Sequence, residues 1–474
     1  MSIDQTAQTS HATEAAPAAA GPARLRLRPG RWIDNWDPED RGFWEGTGRG
    51  IARSNLRWSI FCEFLGFIVW QLWSIAAVQL PAAGFDLSSS QIFWLISMPS
   101  LVGATLRIPY TFMVPTFGGR NWTVVSALLL LIPAVGLAVC TANPQTPFGV
   151  LLLMAGLAGF GGGNFASSMA NITYFYPASE KGYALGLNAA GGNLGAAVAQ
   201  LVVPLAVTAG AFGATGALNL PLAGLIWVPL ILLAAWGARR FMHNLSHAKG
   251  DLAASLAALR EPHLWIMSLL YIGTFGSFIG FSGVFPKLIK DVFPEFSAFS
   301  VGTAALSLAF LGPLVGSLAR PLGGRLADRF GGARMTTASF AAMAVIALAV
   351  VWTLPASNFW LFLVLFLALF TASGFGNGAT YRMIPRIFAI RGQEAGPGRD
   401  GVDSQRKSSA ALGLISAVGA YGGFVIPQVL NASGTATGSY DGAFYGFVGA
   451  YVLMLVLAWS CYLRPGSKMA QGGV

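Results

Sequence analysis

From Arg57 almost to the C-terminus, long apolar runs alternate with short polar or glycine-rich breaks. Each run holds about 20 residues, enough at 1.5 Å per residue to cross roughly 30 Å of hydrocarbon. Twelve runs are discernible, at 57–80, 91–114, 121–141, 147–174, 182–208, 219–238, 263–285, 303–326, 333–354, 359–381, 408–430 and 441–463. None carries the polar face that a helix on a water-soluble protein requires. The pattern predicts an all-α membrane protein with twelve transmembrane helices. The longest internal break, 239–262, carries Arg239, Arg240, Lys249 and Arg260 and divides the spans six and six. The expected organisation is a tail at 1–56, a six-helix half at 57–238, a linker at 239–262, a second half at 263–463 and a tail at 464–474. Residues 1–23 are rich in Ala, Thr, Ser and Pro, lack the apolar core of a cleavable signal and are expected to be disordered. Residues 24–57, basic and punctuated by Trp32, Trp36 and Trp44, are expected to lie along the cytoplasmic membrane face.

Composition strengthens this picture. Hydrophobic residues make up 54% of the chain and charged residues 10%, against roughly 25% charged in soluble domains. Fourteen Trp suit a protein with two membrane–water interfaces. The net charge of +10 suggests nucleic acid until its distribution is read. Twenty-five of the 29 Lys and Arg fall in the tails or the even-numbered loops, counting the span ends beside them. Only Lys287 and Lys290 fall in odd-numbered loops, and Arg107 and Arg320 lie inside spans. By the positive-inside rule both termini are cytoplasmic, and the charge is a topology signal. Cys62, Cys140 and Cys461 sit in three different spans without a CxxC or Cys/His pattern, so no metal site is expected. His11, His243, His247 and His263 lie in the first tail or around the central loop. With no buried nucleophile or acid–base cluster an enzyme is not expected, and no cofactor is implied. The glycine runs are not followed by GK[ST], which leaves ATP-driven pumping unsupported.

The halves repeat each other. Arg107 stands eleven residues before Gly118-Gly119, and Arg320 eleven before Gly331-Gly332, each Arg followed closely by a proline, Pro109 or Pro321. Gly159-Phe160-Gly161 reappears as Gly374-Phe375-Gly376, and Ala184-Leu185-Gly186-Leu187 as Ala411-Leu412-Gly413-Leu414. The offsets are 213, 215 and 227 residues, the last enlarged by the long loop before span 11. Internal duplication of this kind marks secondary transporters. The segment Gly323-Gly324-Arg325-Leu326-Ala327-Asp328-Arg329-Phe330-Gly331-Gly332 resembles the cytoplasmic loop signature of the major facilitator superfamily, and Gly118-Gly119-Arg120 is its reduced copy.

Arg107 and Arg320 carry the candidate chemistry. An arginine at the bilayer centre costs at least about 2.5–3.5 kcal/mol. Eleven residues put each about 16 Å from its loop, close to the midplane. Among the carboxylates only Glu63 lies clearly within a span, and one carboxylate cannot neutralise two guanidinium groups. The missing anion is read as the substrate, because a planar guanidinium with parallel N–H donors suits a small oxyanion. Spans 4, 5, 10 and 11 are dense in glycine, which permits close helix approach and sliding without naming a substrate.

Longer motifs add a family resemblance. Gly163-Asn164-Phe165-Ala166-Ser167-Ser168-Met169-Ala170-Asn171-Ile172, then Ala184 to Asn188 and Gly192-Asn193-Leu194-Gly195, resemble the nitrate signature of the nitrate/nitrite porter family. The stretch from Ala411 through Gly413 and Gly419 to Gly422-Gly423 is similar to its second copy. Arg107-Ile108-Pro109-Tyr110, Leu264 to Tyr271, Thr274 to Phe278 and the early Asp37-Pro38-Glu39-Asp40 are similar to bacterial NarK-type members. The resemblance covers nearly the whole chain after about residue 34. Ala189 stands where the signature has Gly.

The resemblance implies a planar anion, nitrate or nitrite, between Arg107 and Arg320. It also implies aromatic walls from Phe67, Phe165, Tyr271 and Phe275 with Asn193 nearby, in a protein of the bacterial inner membrane that acts as a monomer. Glu63 departs from the antiporter pattern. It lies four residues before Phe67, so the two share a helix face. One reading makes Glu63 the carrier of a coupling proton in nitrate/proton symport, where net inward positive charge, drawn by an inside-negative potential, needs more than one cation per anion. Nitrate/nitrite exchange needs no such carrier. A third reading pairs Glu63 with a basic group such as Lys181.

Overall fold

The computed structural model describes residues 25–209, 218–248, 258–356, 358–394 and 401–474. The expected disordered stretch 1–23 and the middle of the expected linker lie outside the described residues. Among those described, eleven helices are long and apolar enough to cross a membrane. They are α1 (Arg41–Gln79), α2 (Ser89–Phe117), α3 (Gly119–Thr141), α4 (Phe148–Phe175), α5 (Ala178–Thr208), α6 (Leu222–Phe241), α7 (Pro262–Val292), α9 (Gly332–Leu354), α10 (Phe359–Gln393), α11 (Ala410–Thr437) and α12 (Asp441–Leu463). The eighth place is taken by α8 (Leu311–Phe330), whose Arg320, Arg325, Asp328 and Arg329 dilute its apolar character.

Two helix starts lie well away from the expected ones, each for a local reason, and α7, α10 and α11 run on past their expected ends. The helix of span 1 starts at Arg41, where the Asp40 carboxylate accepts the Gly42 and Phe43 N–H groups and caps it. Before it, β1 (Leu27–Arg28) pairs antiparallel with β2 (Trp32–Ile33), which pairs parallel with β3 (Asn244–Leu245) just after α6. Trp36 and Trp44 are buried edge-on against Phe175 and Tyr176. This segment folds onto the protein, its tryptophans packing on Phe175 and Tyr176 while Glu180 accepts from both Trp44 Nε1 and Arg49. Span 8 begins late. β4 (Phe299–Val301) and β5 (Ala304–Leu306) form a hairpin around Gly302, whose φ of +61° suits glycine. Thr208 Oγ1 accepts the Ala305 N–H at 2.7 Å and fastens the hairpin to the end of α5.

The repeated Gly-Gly pairs end equivalent helices. Gly118 closes α2 at φ +86° and Gly331 closes α8 at φ +95°, values that a side chain resists. Glycines also set helix spacing. A Cβ on Gly161 would lie 2.0 Å from the Gly66 carbonyl oxygen, and one on Gly374 2.3 Å from that of Gly316. The backbones of α1 and α4, and of α8 and α10, therefore touch, as small residues allow in a bilayer. The outer surface presents Val139, Val345, Trp352 and Leu453, all well exposed, as a lipid-facing belt requires.

On the face away from the tails, the first six and last six helices are stitched together. Lys290 Nζ donates to the Val78 carbonyl at 2.7 Å, capping the end of α1. Gln428 donates to Ser97 Oγ at 2.7 Å, and Asn431 to Ser90 Oγ at 3.1 Å.

Candidate functional site

The two arginines converge on one aromatic cluster at the junction of the halves. Arg107 Cζ lies 4.5 Å from the centroid of the Phe165 ring and 5.0 Å from that of Phe275. Arg320 Cζ lies 5.7 Å and 6.0 Å from the same two centroids. Phe165 and Phe275 stack at 6.2 Å, Tyr271 stacks on Phe275 at 5.4 Å, and Phe67 meets Phe165 edge-on at 6.3 Å. Arg107, Phe67, Phe165, Tyr271 and Phe275 are at most 1% exposed and Arg320 is 5% exposed.

Local structure explains this convergence. α7 contains a π-helical turn, Ile272–Gly276, between Tyr271 and Ser277. Such turns are frequent at functional sites, because the wider turn re-aims side chains at the cost of hydrogen-bond geometry. A Cβ on Gly419 would sit 2.3 Å from Tyr271 Cδ1, and one on Gly422 2.4 Å from Gly276 Cα. These two glycines of α11 leave the space that the π turn and the Tyr271 ring occupy. Gly413 lies apart from them, where a Cβ would touch Thr111.

The arginines are held unequally. Arg107 Nε donates to the Gly162 carbonyl at 3.1 Å and Nη1 to the Ser416 carbonyl at 2.8 Å, while Nη2 is buried without a partner. Arg320 Nη2 donates to the Tyr271 hydroxyl at 3.3 Å, and Nη1 is buried without a partner. Among the described residues neither arginine forms an ion pair. Carbonyls and ring faces satisfy N–H groups but leave the formal charge standing, so the site is a buried cationic cluster faced by flat rings. It can hold a small planar anion by stacking and forked hydrogen bonds. The described residues hold no group of three or more His, Cys, Asp or Glu able to bind a metal.

Glu63 lies beside this cluster and is 1% exposed. Its Oε2 accepts from Ser168 Oγ at 2.5 Å and from Asn188 Nδ2 at 2.8 Å. Ser59 Oγ is 2.9 Å from Ser168 Oγ, extending a hydroxyl chain one turn toward the tail face. Glu63 Oε1 is buried without a partner, and a Cβ on Gly192 would come within 2.4 Å of it. Gly192 therefore makes room for the carboxylate. The Ser168 hydroxyl and Asn188 amide take the place considered for Lys181, because their helices lie against α1 at this level. Glu63 forms no ion pair among the described residues.

The other motif residues separate. Asn193 on α5 is fully buried with both amide atoms unpartnered. Asn164 sits in the α1–α4 contact beside Gly66. Asn171 lies at the tail-side loop, its Oδ1 filling the space beside Gly119, and packs that loop instead of joining the cluster. Sequence reasoning missed Trp70, whose ring centroid is 5.4 Å from Arg107 Cζ, Tyr381, 5.6 Å from Arg320 Cζ, and the Gly162 and Ser416 carbonyls. It also missed Asn377, 1% exposed on α10 and directly after the repeated Gly-Phe-Gly. Extending the internal repeat by one residue would have found it.

Comparison with known proteins agrees with this architecture. Residues 60–396 match the Major Facilitator Superfamily model. Among solved structures, a D-xylose–proton symporter superposes with a TM-score of 0.65 at 16% identity, covering 89% of this chain and 99% of that one. A point mutant of the nucleoside transporter NupG superposes at 0.59 with 12% identity, covering 86% and 99%. At such identities these two report the fold alone. The nitrate/nitrite transporter NarU of Salmonella typhimurium is 44% identical over 455 residues, 92% of this chain and 97% of that protein. NarU of Escherichia coli is 42% identical, covering 91% and 96%. The probable nitrate/nitrite antiporter NarK2 of Thermus thermophilus is 38% identical, covering 94% and 99%. A duplicated twelve-helix fold, a family model spanning most of the helices and near full-length relatives agree: the chain belongs to the NarK-type nitrate/nitrite porters of the major facilitator superfamily, a family of transporters and not of enzymes.

Proposed function

We propose that this protein moves nitrate, and nitrite with it, across the bacterial inner membrane by alternating access, and that uptake is nitrate/proton symport. The observation that carries the substrate reading is the pair of buried, carboxylate-free guanidinium groups sharing the Phe165 and Phe275 rings. Flat rings stack on a flat, weakly hydrated anion, and Arg107 Nη2 and Arg320 Nη1 are donors without a protein partner. A buried charge pays several kcal/mol unless a counter-ion arrives, and the transported anion supplies it. Asn193 and the Tyr271 hydroxyl complete the walls. One chain supplies every wall, which supports a monomer as the functional unit. The charge asymmetry supports a cytoplasmic tail face, with 57–238 and 263–463 rocking about the site.

Glu63 is the proton carrier in this reading. It is buried one helical turn from Phe67 and within hydrogen-bond reach of hydroxyls that lead toward the tail face. Protonated from outside, it enters the cycle neutral with the bound anion; facing the cytoplasm, it loses the proton through Ser168 and Ser59. One proton per anion is electroneutral and draws on the pH gradient. The test is uptake by purified protein in liposomes with pH, voltage and internal nitrite varied independently. Symport requires accumulation driven by an imposed pH gradient, lost in Glu63→Gln. Retained gradient-driven accumulation in that variant removes the proton role.

A second reading is nitrate/nitrite exchange without a proton. It is favoured by the Thermus relative, whose name describes an antiporter. Internal nitrite that accelerates nitrate entry, with no response to the pH gradient, would select it.

A further inference from the structure

The internal repeat makes the two halves of the site comparable position by position. Offset 215 maps Gly159-Phe160-Gly161 onto Gly374-Phe375-Gly376 and therefore maps Gly162 onto Asn377. In the first copy, the residue there is a glycine whose carbonyl accepts Arg107 Nε at 3.1 Å. The next glycine of each copy packs against the arginine helix. A Cβ on Gly163 would lie 3.2 Å from Leu106 Cβ, and one on Gly378 2.2 Å from the Arg320 carbonyl oxygen. α10 thus packs against α8 at nearly the level at which α4 packs against α2, its glycine meeting Arg320 where that of α4 meets the residue before Arg107. Asn377 precedes the glycine that meets the Arg320 backbone, in the place where the first copy has Gly162.

Its neighbours on the same face place it further. Tyr381, one turn on, has its ring centroid 5.6 Å from Arg320 Cζ. Ser373, one turn back, donates to the Thr274 carbonyl, next to Phe275. Asn377 lies between these on the face that meets the π turn of α7. It is 1% exposed, and neither Nδ2 nor Oδ1 has a hydrogen-bond partner. Arg320 Nη1 is buried and unpartnered as well. Buried amides are rarely left in that state without a function.

We propose that Asn377 is a specificity-determining residue: its amide N–H donates to the third oxygen of a trigonal anion whose other two oxygens are taken by Arg107 and Arg320. The inference rests on the reading that this site takes nitrate and nitrite. A bent dioxo anion has two oxygens, and the two guanidinium groups account for both. A trigonal trioxo anion has one more, and it needs a donor that does not belong to either arginine. Asn377 therefore favours nitrate over nitrite.

The experiment measures KM and maximal rate for nitrate and for nitrite in the same liposomes, for the wild type, Asn377→Ala, Asn377→Leu and Asn377→Gln. The expected result for Ala and Leu is a nitrate KM raised about tenfold, the loss of one hydrogen bond to a charged group. The nitrite KM stays within about twofold, the maximal rate is retained, and Gln restores part of the preference. The ratio of the two KM values does not depend on how much protein is active, so partial misfolding does not mimic the result. If Ala fails to fold, Leu, closer in volume, carries the test. A nitrate-to-nitrite KM ratio unchanged in the folded variants, or both constants rising together, overturns the inference while leaving the anion site intact. Wild-type liposomes without saturable nitrate or nitrite flux would instead overturn the reading on which it rests.

Discussion

A guanidinium held by carbonyls is oriented but not neutralised, and this separates what Arg107 and Arg320 do. Arg107 is fixed by the Gly162 and Ser416 carbonyls, one from each half. Arg320 has one long bond to Tyr271. Lysine supplies the charge but neither fork nor planarity. Arg107→Lys is therefore expected to cut nitrate uptake by at least tenfold even though the charge survives, as measured by initial rates in liposomes; wild-type rates would show that charge alone suffices. Gly192→Ala drives a Cβ to within 2.4 Å of Glu63 Oε1. The expected cost is about 1–3 kcal/mol of overpacking, with gradient-driven accumulation reduced more than exchange. The arginines were legible in the sequence because charge inside an apolar run, twice at one offset, has few explanations. Glu63's partners were not. Ser168 and Asn188 approach it only once α4 and α5 are folded against α1, and backbone acceptors such as Gly162 leave no mark in a sequence at all.

At the scale of elements, hydropathy located the spans and missed their irregularities. The hairpin before α8 is apolar enough to read as helix, and only the turn at Gly302 betrays it. The π turn at Ile272–Gly276 has no composition of its own; it depends on Gly419 and Gly422 in another helix. Gly419→Ala is accordingly expected to displace Tyr271 and raise the nitrate KM several-fold with the protein still folded, which uptake kinetics and thermal unfolding in detergent will separate. The N-terminal sheet was equally illegible, since β2 pairs with residues more than 200 positions away. It is also pH-sensitive. His243 Nε2 is 2.8 Å from Arg31 Nη2 and accepts from it as the neutral ring. Burial chiefly, then the charges of Arg31 and Arg120, pushes His243 down from 6.5 to about 4. The folded state binds fewer protons there than the unfolded one, so the stability it contributes is present above about pH 6.5 and is lost as pH falls toward 4. Amide exchange in residues 27–33 and 244–245 should accelerate over that window, and His243→Gln should flatten the dependence.

For the whole molecule, the bonds that join the halves on the face opposite the tails are the ones the proposed rocking cycle must break. They are few, polar and shared between α1, α2 and α5 of the first half and α7, α11 and the hairpin before α8 of the second. Lys290, one of two basic residues placed in odd-numbered loops by the sequence, owes its position to this seam, where it caps the end of α1. Alternating access predicts that the Ser90–Asn431 contact of 3.1 Å exists in one state only. In a background with Cys62, Cys140 and Cys461 replaced by Ala, Ser90→Cys with Asn431→Cys should react with a short bifunctional thiol reagent and stop uptake, and a reducible reagent should allow reversal. Because the lock acts on opening and not on the anion site, the bound state should still form: nitrate should raise the thermal unfolding temperature of the cross-linked protein. Transport that continued with the two helices tied would mean that α2 and α11 move as one body, and the seam of the cycle would then have to lie between other helices.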